Sequence, residues 1–175
     1  MKRHSIVIAC AFASAFALQA QIPASHIAES KQLWTMVNSV FVALADKMPD
    51  ADYGFKASND IRTFGQIIAH VADAQAHFCS AASGPQKSVG AGSKTTKADI
   101  VAALKASVDI CEAAWNGLTP ETAAESSGLG FPKGSKLQAL EFNTIHTEEE
   151  YGYLSVYLRL KGIVPPSSAG RGGGR

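Results

Sequence analysis

The sequence has almost no excess of charge of either sign, and this excludes one large class of partners. Lys and Arg total 16 residues and Asp and Glu total 15, so the formal net charge is +1. No stretch combines clustered basic residues with interleaved aromatic ones, as a surface that binds a polyanion usually does. We therefore exclude nucleic acid as the main partner of this chain.

Cysteines are also scarce, which excludes a zinc site built from them. The three cysteines are Cys10, Cys79 and Cys111, and none has another within a few residues. Cys79 and Cys111 remain if the N-terminal segment is removed, and an even pair in an exported protein suggests a disulfide. Two small buried hydrophobic side chains are an equally good interpretation of the same residues.

The N-terminus has the pattern of a secretory signal peptide. Lys2 and Arg3 precede an uncharged, mostly apolar run over residues 5–18, and Ala20 offers a small residue for cleavage. The run is too short for a stable membrane anchor and is apolar on every face, which disfavours a buried first helix. We predict a signal peptide over residues 1–20 and a periplasmic or secreted mature protein. Removing two basic residues leaves 14 against 15 acids, a mature net charge of −1.

The remaining chain predicts an all-α four-helix bundle over residues 21–166. Apolar residues recur at helical spacing and no segment alternates as a half-buried strand does. Thr63 with Gln66, and Ser135 with Gln138, have the form of capping boxes. The predicted helices cover residues 25–47, 63–82, 96–118 and 135–161.

The connections between these helices are rich in Gly, Ser and Pro. Residues 84–95 are predicted to be a flexible surface connection and residues 119–134 an irregular one. Gly162 is well placed as the left-handed residue after the last helix, and Pro165 and Pro166 prevent its continuation. Residues 167–175 are predicted to be a disordered tail.

His146 and Glu150 lie four residues apart on the fourth predicted helix, so their side chains share one face. A rotation of about 100° per residue places them in a stripe of otherwise mainly apolar residues. That stripe contains Ala139, Phe142, His146, Glu150, Tyr153, Leu154 and Tyr157. Because a buried carboxylate is costly unless it is paired or bound to a metal, the pair requires an explanation.

His70, on the second predicted helix, supplies a third ligand if the two helices are neighbours. Two imidazoles and one carboxylate with open positions suit a divalent transition metal: zinc, nickel, manganese or iron. A hydrogen bond between His146 and Glu150 is the simpler interpretation, and Glu149 is a rival ligand. His77, two turns from His70, is too far away to bind the same ion and is assigned to the rim of the site.

Three stretches resemble the DinB-like family of bacterial four-helix bundles. They are Tyr53-Gly-Phe-Lys with Arg62-Thr-Phe-Gly-Gln-Ile-Ile-Ala-His70-Val-Ala-Asp, His146-Thr-Glu-Glu-Glu150-Tyr-Gly, and Tyr157-Leu-Arg-Leu-Lys-Gly-Ile-Val-Pro165-Pro166. The resemblance covers about residues 27–166. It implies a long crossover between helices 2 and 3, and a metal triad of His70, His146 and position 150. The family usually has His at that last position, where this chain has Glu150.

The resemblance leaves the function open, because activities in the family are diverse. Some relatives resemble metal-dependent transferases of low-molecular-weight thiols, a role that the export signal argues against here. A metal-dependent envelope enzyme is one hypothesis, with Tyr153 or Glu149 handling a proton and no nucleophile assigned. A non-catalytic bundle that binds a small ligand or metal is the alternative, and a vestigial site is a third. A homodimer is compatible with the sequence, and no stable membrane span is expected in the mature chain.

We expect the mature protein to begin near Gln21 and to be found in the cell envelope or the medium. Mass spectrometry of the protein purified from an envelope fraction measures its N-terminus directly. An intact Met1, or fractionation with cytoplasmic proteins, would contradict the predicted signal peptide.

Overall fold

The computed structural model describes residues 22–169 and is helical throughout its regular parts. The four long helices are α1 (Ala24–Lys47), α2 (Phe64–Ser83), α3 (Lys97–Gly117) and α4 (Lys136–Leu160). Within residues 22–169 there is no strand, only a single β-bridge between Ser126 and Ser135. The predicted all-α four-helix bundle is confirmed. None of the helices described is both long enough and apolar enough to cross a membrane.

The helices run in two directions around the bundle. Helices α2 and α3 are parallel. Gln75 contacts Ser107 and Cys79 contacts Cys111, and both pairs are 32 positions apart in the sequence, so the two helices advance in the same direction. Contacts between α2 and α4, and between α1 and α3, pair early residues of one helix with late residues of the other. The connection from α2 to α3 is therefore a long crossover, as the family resemblance implied.

A layer of buried polar side chains crosses the middle of the bundle and is centred on Gln75. Its amide nitrogen donates to Asn38 Oδ1 of α1 at 2.7 Å and to Thr147 Oγ1 of α4 at 3.3 Å. Its amide oxygen accepts from Ser107 Oγ of α3 at 3.0 Å. Gln75 is fully buried, so these bonds replace the water that its amide loses on folding. One side chain thus fixes α2 against all three other helices.

This polar layer separates the hydrophobic core into two clusters. One cluster joins the C-terminal halves of α1 and α4 to the N-terminal halves of α2 and α3, and includes Phe41, Phe64 and Leu154. The other lies at the opposite end and includes Trp34 and Trp115, whose ring centroids are 6.3 Å apart. Most of the bundle's stability comes from burying these two clusters.

The helix ends follow local sequence signals, with one difference from the prediction. Thr63 and Gln66 form the complete capping box at the start of α2. At the start of α4 only the first half is present, because Ser135 accepts from the Gln138 backbone without a returning side-chain bond. Gly162 has φ +72° after α4, and the Ile163 amide donates to the Leu158 carbonyl, as expected at a glycine-terminated helix.

The crossover is more ordered than the sequence predicted. Its short 3₁₀ helix, Ala91–Ser93, is held by Asp73 of α2, whose carboxylate oxygens accept from the Ala91 and Gly92 amides at 2.8 Å each. Ala91 is completely buried against the core. Most of the connection lies on the surface, as predicted, but one buried alanine and one carboxylate tie its short 3₁₀ helix to α2.

The ends of the chain are described only in part. The predicted signal peptide, residues 1–20, lies outside the described residues. Of the predicted disordered tail, Ser167 and Ser168 belong to the 3₁₀ helix Pro166–Ser168, and the Ser167 amide donates to the Tyr151 hydroxyl at 2.9 Å. Regular structure thus extends past the boundary predicted at residue 166, while residues 170–175 lie outside the described part.

Cys79 and Cys111 form a disulfide between α2 and α3. Their Cα atoms are 4.8 Å apart, and both residues are completely buried. Of the two interpretations that the sequence left open, the disulfide is the one the structure has. It adjoins the polar layer, since Asn143 Nδ2 of α4 lies 3.7 Å from the Cys111 sulfur.

We expect reduction of this disulfide to lower the free energy of unfolding by about 3–4 kcal/mol, because it closes a loop across 32 positions of the unfolded chain. Denaturant unfolding with and without a reductant measures the difference. A Cys79→Ala/Cys111→Ala variant should not respond to the reductant. Two free thiols in a denatured, unreduced sample of the mature protein would contradict the bond.

Replacing Gln75 by Leu should destabilise the fold although it removes a buried polar group. The Asn38 side-chain oxygen would lose its partner inside the core, while Thr147 would keep its bond to the Asn143 carbonyl. One buried group without a hydrogen bond costs about 1–3 kcal/mol. The exposed Gln32→Leu on α1 is the control and should change the free energy of unfolding by less than about 0.5 kcal/mol. Equal stability of the Gln75→Leu variant and the parent would show that the network is not stabilising.

Candidate metal centre

The side chains of His70, His146 and Glu150 converge in the groove between α2 and α4. The two histidine Nε2 atoms are 3.2 Å apart, and each lies 3.9 Å from Glu150 Oε1. One ligand atom from each residue therefore falls within 4.8 Å of the other two. Among residues 22–169 this is the one group of three or more potential ligands so placed. The convergence expected from the sequence is present, and ligation itself stays a prediction.

The face of α4 that enters the core differs from the predicted stripe. Several residues outside the predicted stripe are buried, among them Thr147, Tyr151 and Leu158. Tyr153, predicted within the stripe, is 54% exposed. His146 and Glu150 thus lie at the edge of the buried face and not at its centre. At the edge, a ligand from the solvent can reach them.

The other polar residues considered from the sequence lie outside the triad. Glu149 accepts a hydrogen bond from the Tyr153 hydroxyl at 3.2 Å, and Glu148 is exposed to solvent. His77 lies near Gln86 of the crossover, with 3.0 Å between Nδ1 and the amide oxygen. It is exposed and lies outside the triad, and its assignment to the rim of the site stays a prediction. The rival assignment of Glu149 as the third ligand has less support, since Glu150 is the carboxylate that faces both imidazoles.

Burial shapes the protonation of all three groups. It lowers the pKa of His70 and of His146, and the positive charge of Arg62 lowers both further. The imidazoles are therefore biased toward the neutral form, the form that binds metal. Burial also raises the pKa of Glu150, whose carboxylate receives no hydrogen bond from any described residue. A cation between the three groups would relieve this cost.

The geometry fits a divalent ion. Two nitrogen ligands at about 2.0–2.1 Å from a tetrahedral ion are about 3.3 Å apart. The 3.2 Å between the two Nε2 atoms matches that separation. The carboxylate oxygen, 3.9 Å from each nitrogen, needs a shift of only about half an ångström to complete the set.

His146 departs from the usual surroundings of a metal-bound histidine. Its Nδ1 atom is buried and has no hydrogen-bond partner among the described residues. In most metal sites the second ring nitrogen donates to a carboxylate, a carbonyl or a water. Here the ring is placed by aromatic packing instead, with Phe78 of α2 at 6.2 Å and edge-on. His70 also packs edge-on against it, at 5.1 Å between ring centroids.

A cleft of about 610 Å³ adjoins the triad on the side of Glu150. Its walls come from the loop before α2, from α2 one turn before His70, and from the last turns of α4. The lining residues are Ala57, Asp60, Ile61, Arg62, Ile67, Glu150, Tyr153, Val156 and Tyr157. Glu150 belongs to both the triad and the cleft, so an ion held by the triad would lie at the inner edge of the cleft.

The loop that forms one wall of this cleft was not assigned from the sequence. It is anchored by the Tyr157 hydroxyl, which donates to the Arg62 carbonyl at 2.8 Å, and by the Gly65 amide, which donates to the Tyr53 carbonyl. Gly65 is required there, since a Cβ would lie 2.9 Å from the Tyr53 ring. Arg62 and Tyr157 stand in two stretches that carry the family resemblance, and that is the signal that could have pointed to them.

An up-down-down-up bundle with a long crossover and a two-histidine, one-carboxylate cluster between facing helices defines a class of potential metal-binding bundles. The sequence model of the DinB superfamily matches residues 33–154, so the chain belongs to that superfamily. No curated protein shows significant sequence similarity to the chain.

Comparison with solved structures supports the same fold. A DinB-like protein from Bacillus cereus superposes with a TM-score of 0.67 at 18% sequence identity. The match covers 80% of this chain and 95% of the bacterial one. At that identity the likeness establishes the fold and leaves the chemistry to be argued from this chain's own residues.

Proposed function

We propose that this chain is an exported metal-dependent enzyme of the DinB superfamily, in which His70, His146 and Glu150 hold one divalent transition-metal ion. One observation carries the proposal: three ligand atoms lie within 4.8 Å of one another, and the buried carboxylate among them lacks a hydrogen-bond donor in the described chain. A protein that gains nothing from this cluster would be more stable with an apolar side chain in place of Glu150.

The donor set narrows the ion to a group of metals. Two imidazoles and one carboxylate suit zinc, manganese, iron or nickel and are poorly suited to the all-oxygen preference of calcium. Compared with three imidazoles, the carboxylate adds a negative charge and favours a harder ion. When bound, such an ion supplies a Lewis acid that polarises a substrate oxygen or lowers the pKa of a coordinated water.

The protein's own residues would position the substrate and handle protons. The cleft beside Glu150 is large enough for a small molecule and leads to the triad. Tyr153 lines the cleft and donates to Glu149, so this pair can pass a proton between the cleft and the solvent. No described nucleophile stands out, and the proposal therefore leaves the reaction class unassigned.

Export is part of the proposal, and the disulfide supports it. Disulfides persist in oxidising compartments such as the periplasm and are rare in the cytosol. A buried bond between Cys79 and Cys111, together with the N-terminal pattern of charge and apolar residues, agrees with a mature protein that works in the cell envelope.

Elemental analysis of the purified mature protein, before and after dialysis against zinc or manganese, tests the metal site. We expect about one equivalent of ion in the parent and much less in His70→Ala and Glu150→Ala. Glu150→His should keep or increase zinc affinity, because it supplies the imidazole usual in the family. The controls are His77→Ala and Glu148→Ala, which change the same residue types on the same helices without touching the triad.

The same variants should have opposite effects on stability with and without metal. Added zinc should raise the Tm of the parent, because binding to the folded state alone adds to the free energy of unfolding. Without metal, Glu150→Ala should be as stable as the parent or more so, because it removes a largely buried carboxylate that receives no hydrogen bond from the described residues. If Glu150→Ala binds metal as tightly as the parent, another group supplies the third position and the ligand assignment is wrong.

The alternative is a non-catalytic bundle that binds a metal or a small ligand. It is supported by Glu150, which stands where the family usually has His. A metal-binding bundle predicts metal binding as the enzyme does, whereas a ligand-binding bundle with a degenerate site does not. Both differ from the enzyme in turnover, which only the enzyme shows with the metal-loaded protein and which should be lost in His70→Ala.

A further inference from the structure

The cleft beside the triad has a chemical character of its own. Its walls are mainly apolar and include Ile61, Ile67, Val156 and the ring of Tyr157. Ile61 and Val156 are 41% and 54% exposed, so both present apolar surface that a ligand in the cleft can contact. At about 610 Å³ the cleft matches the size of pockets that bind small molecules.

Arg62 is the one basic residue that lines this cleft. Its guanidinium makes no ion pair or hydrogen bond to any residue within 22–169, although Asp60 lines the same cleft. The backbone of Arg62 is fixed, because its carbonyl accepts from Tyr157. An arginine on an anchored backbone, with its donors unused and facing an apolar cleft, is suited to bind a carboxylate, sulfonate or phosphate through two parallel hydrogen bonds.

We propose that this cleft binds small molecules that combine a compact apolar body with a single anionic group, and that Arg62 holds the anion. The apolar body lies against Ile61, Ile67 and Val156. This assignment rests on the proposed function in one respect. An ion bound at the triad would offset the charge of Glu150 and place an open coordination position at the inner edge of the cleft.

Charge in the cleft favours an anion once the triad is loaded. Asp60, Arg62 and Glu150 contribute one positive and two negative charges. A divalent ion changes the sum from −1 to +1. The preference for an anion should therefore be larger in the metal-loaded protein, while the part that depends on Arg62 should be present with or without metal.

Three probes with one apolar body separate the contributions: 4-phenylbutyrate, 4-phenylbutanol and 4-phenylbutylamine. Calorimetry on the mature protein, both metal-free and zinc-loaded, measures their Kd values. We expect the butyrate to bind tightest. Arg62→Met should weaken its binding at least about tenfold and leave the alcohol within about twofold, since only the anion uses the guanidinium. Arg62→Lys should give an intermediate loss, because it keeps the charge without the planar fork.

Two matched controls separate the cleft from general surface effects. Lys56→Met removes one positive charge from the same loop at a residue that does not line the cleft, and should leave all three Kd values unchanged. Val156→Trp fills the cleft and should weaken all three probes. Ile145→Trp changes another exposed aliphatic residue of α4, which lies on a different groove, and should weaken none.

The outcomes distinguish this proposal from the metal site. If zinc fails to bind but the butyrate still depends on Arg62, the metal site is wrong and the cleft assignment stands. If zinc binds but the three probes bind equally, or Arg62→Met does not weaken the butyrate, the cleft assignment is overturned and the metal site stands. Tightest binding of the amine, or no binding of any probe, also overturns it.

Discussion

The side-chain amide of Gln75 contacts all three other helices, and the arrangement of the bundle depends on those contacts. A buried amide is tolerated only where its donors and acceptor find partners, and here Asn38, Ser107 and Thr147 provide them. Thr147 is next to His146 in the sequence. The hydrogen bond from Gln75 to Thr147 therefore also determines the position of α4 along α2 at the level of the triad. A shift of one helical turn between these helices would remove the bond from Gln75 to Thr147 and would separate His70 from His146. The same interaction therefore specifies the fold and positions the candidate site.

The candidate site is costly to the protein that carries it. Glu150 is largely buried and receives no hydrogen bond from the described chain, and Nδ1 of His146 is buried without a partner there. The surrounding packing tolerates this cost: Phe78 holds the His146 ring, and the disulfide and the tryptophan pair stabilise the neighbouring half of the core. Buried polar atoms without a partner also occur at Trp34, Trp115 and Asn143 of the described chain. What distinguishes the triad is therefore the convergence of three potential ligand groups on one point.

Much of the fold was predictable because helices are specified locally. The hydroxyl of Thr63, the left-handed backbone of Gly162 and the apolar spacing act within one or two turns of the chain, and each appears as expected. The errors have local explanations too. Tyr153 was placed in the core stripe because a helical wheel gives relative angles but not which direction faces the bundle. The crossover was interpreted as flexible because its glycines and serines do not reveal that Asp73, on another element, would bind their amides.

The sequence by itself determined the helices, their ends, and the placement of His146 and Glu150 on one face, because each depends on residues a few positions apart. The tertiary structure decided the rest. It brought His70 close to His146, which is 76 positions later in the sequence, and it paired Cys79 with Cys111. It also formed a cleft that is lined by both Arg62 and Glu150. These arrangements depend on the register between packed helices. That register is the sum of many side-chain contacts over the whole core, and no single segment of the sequence contains it.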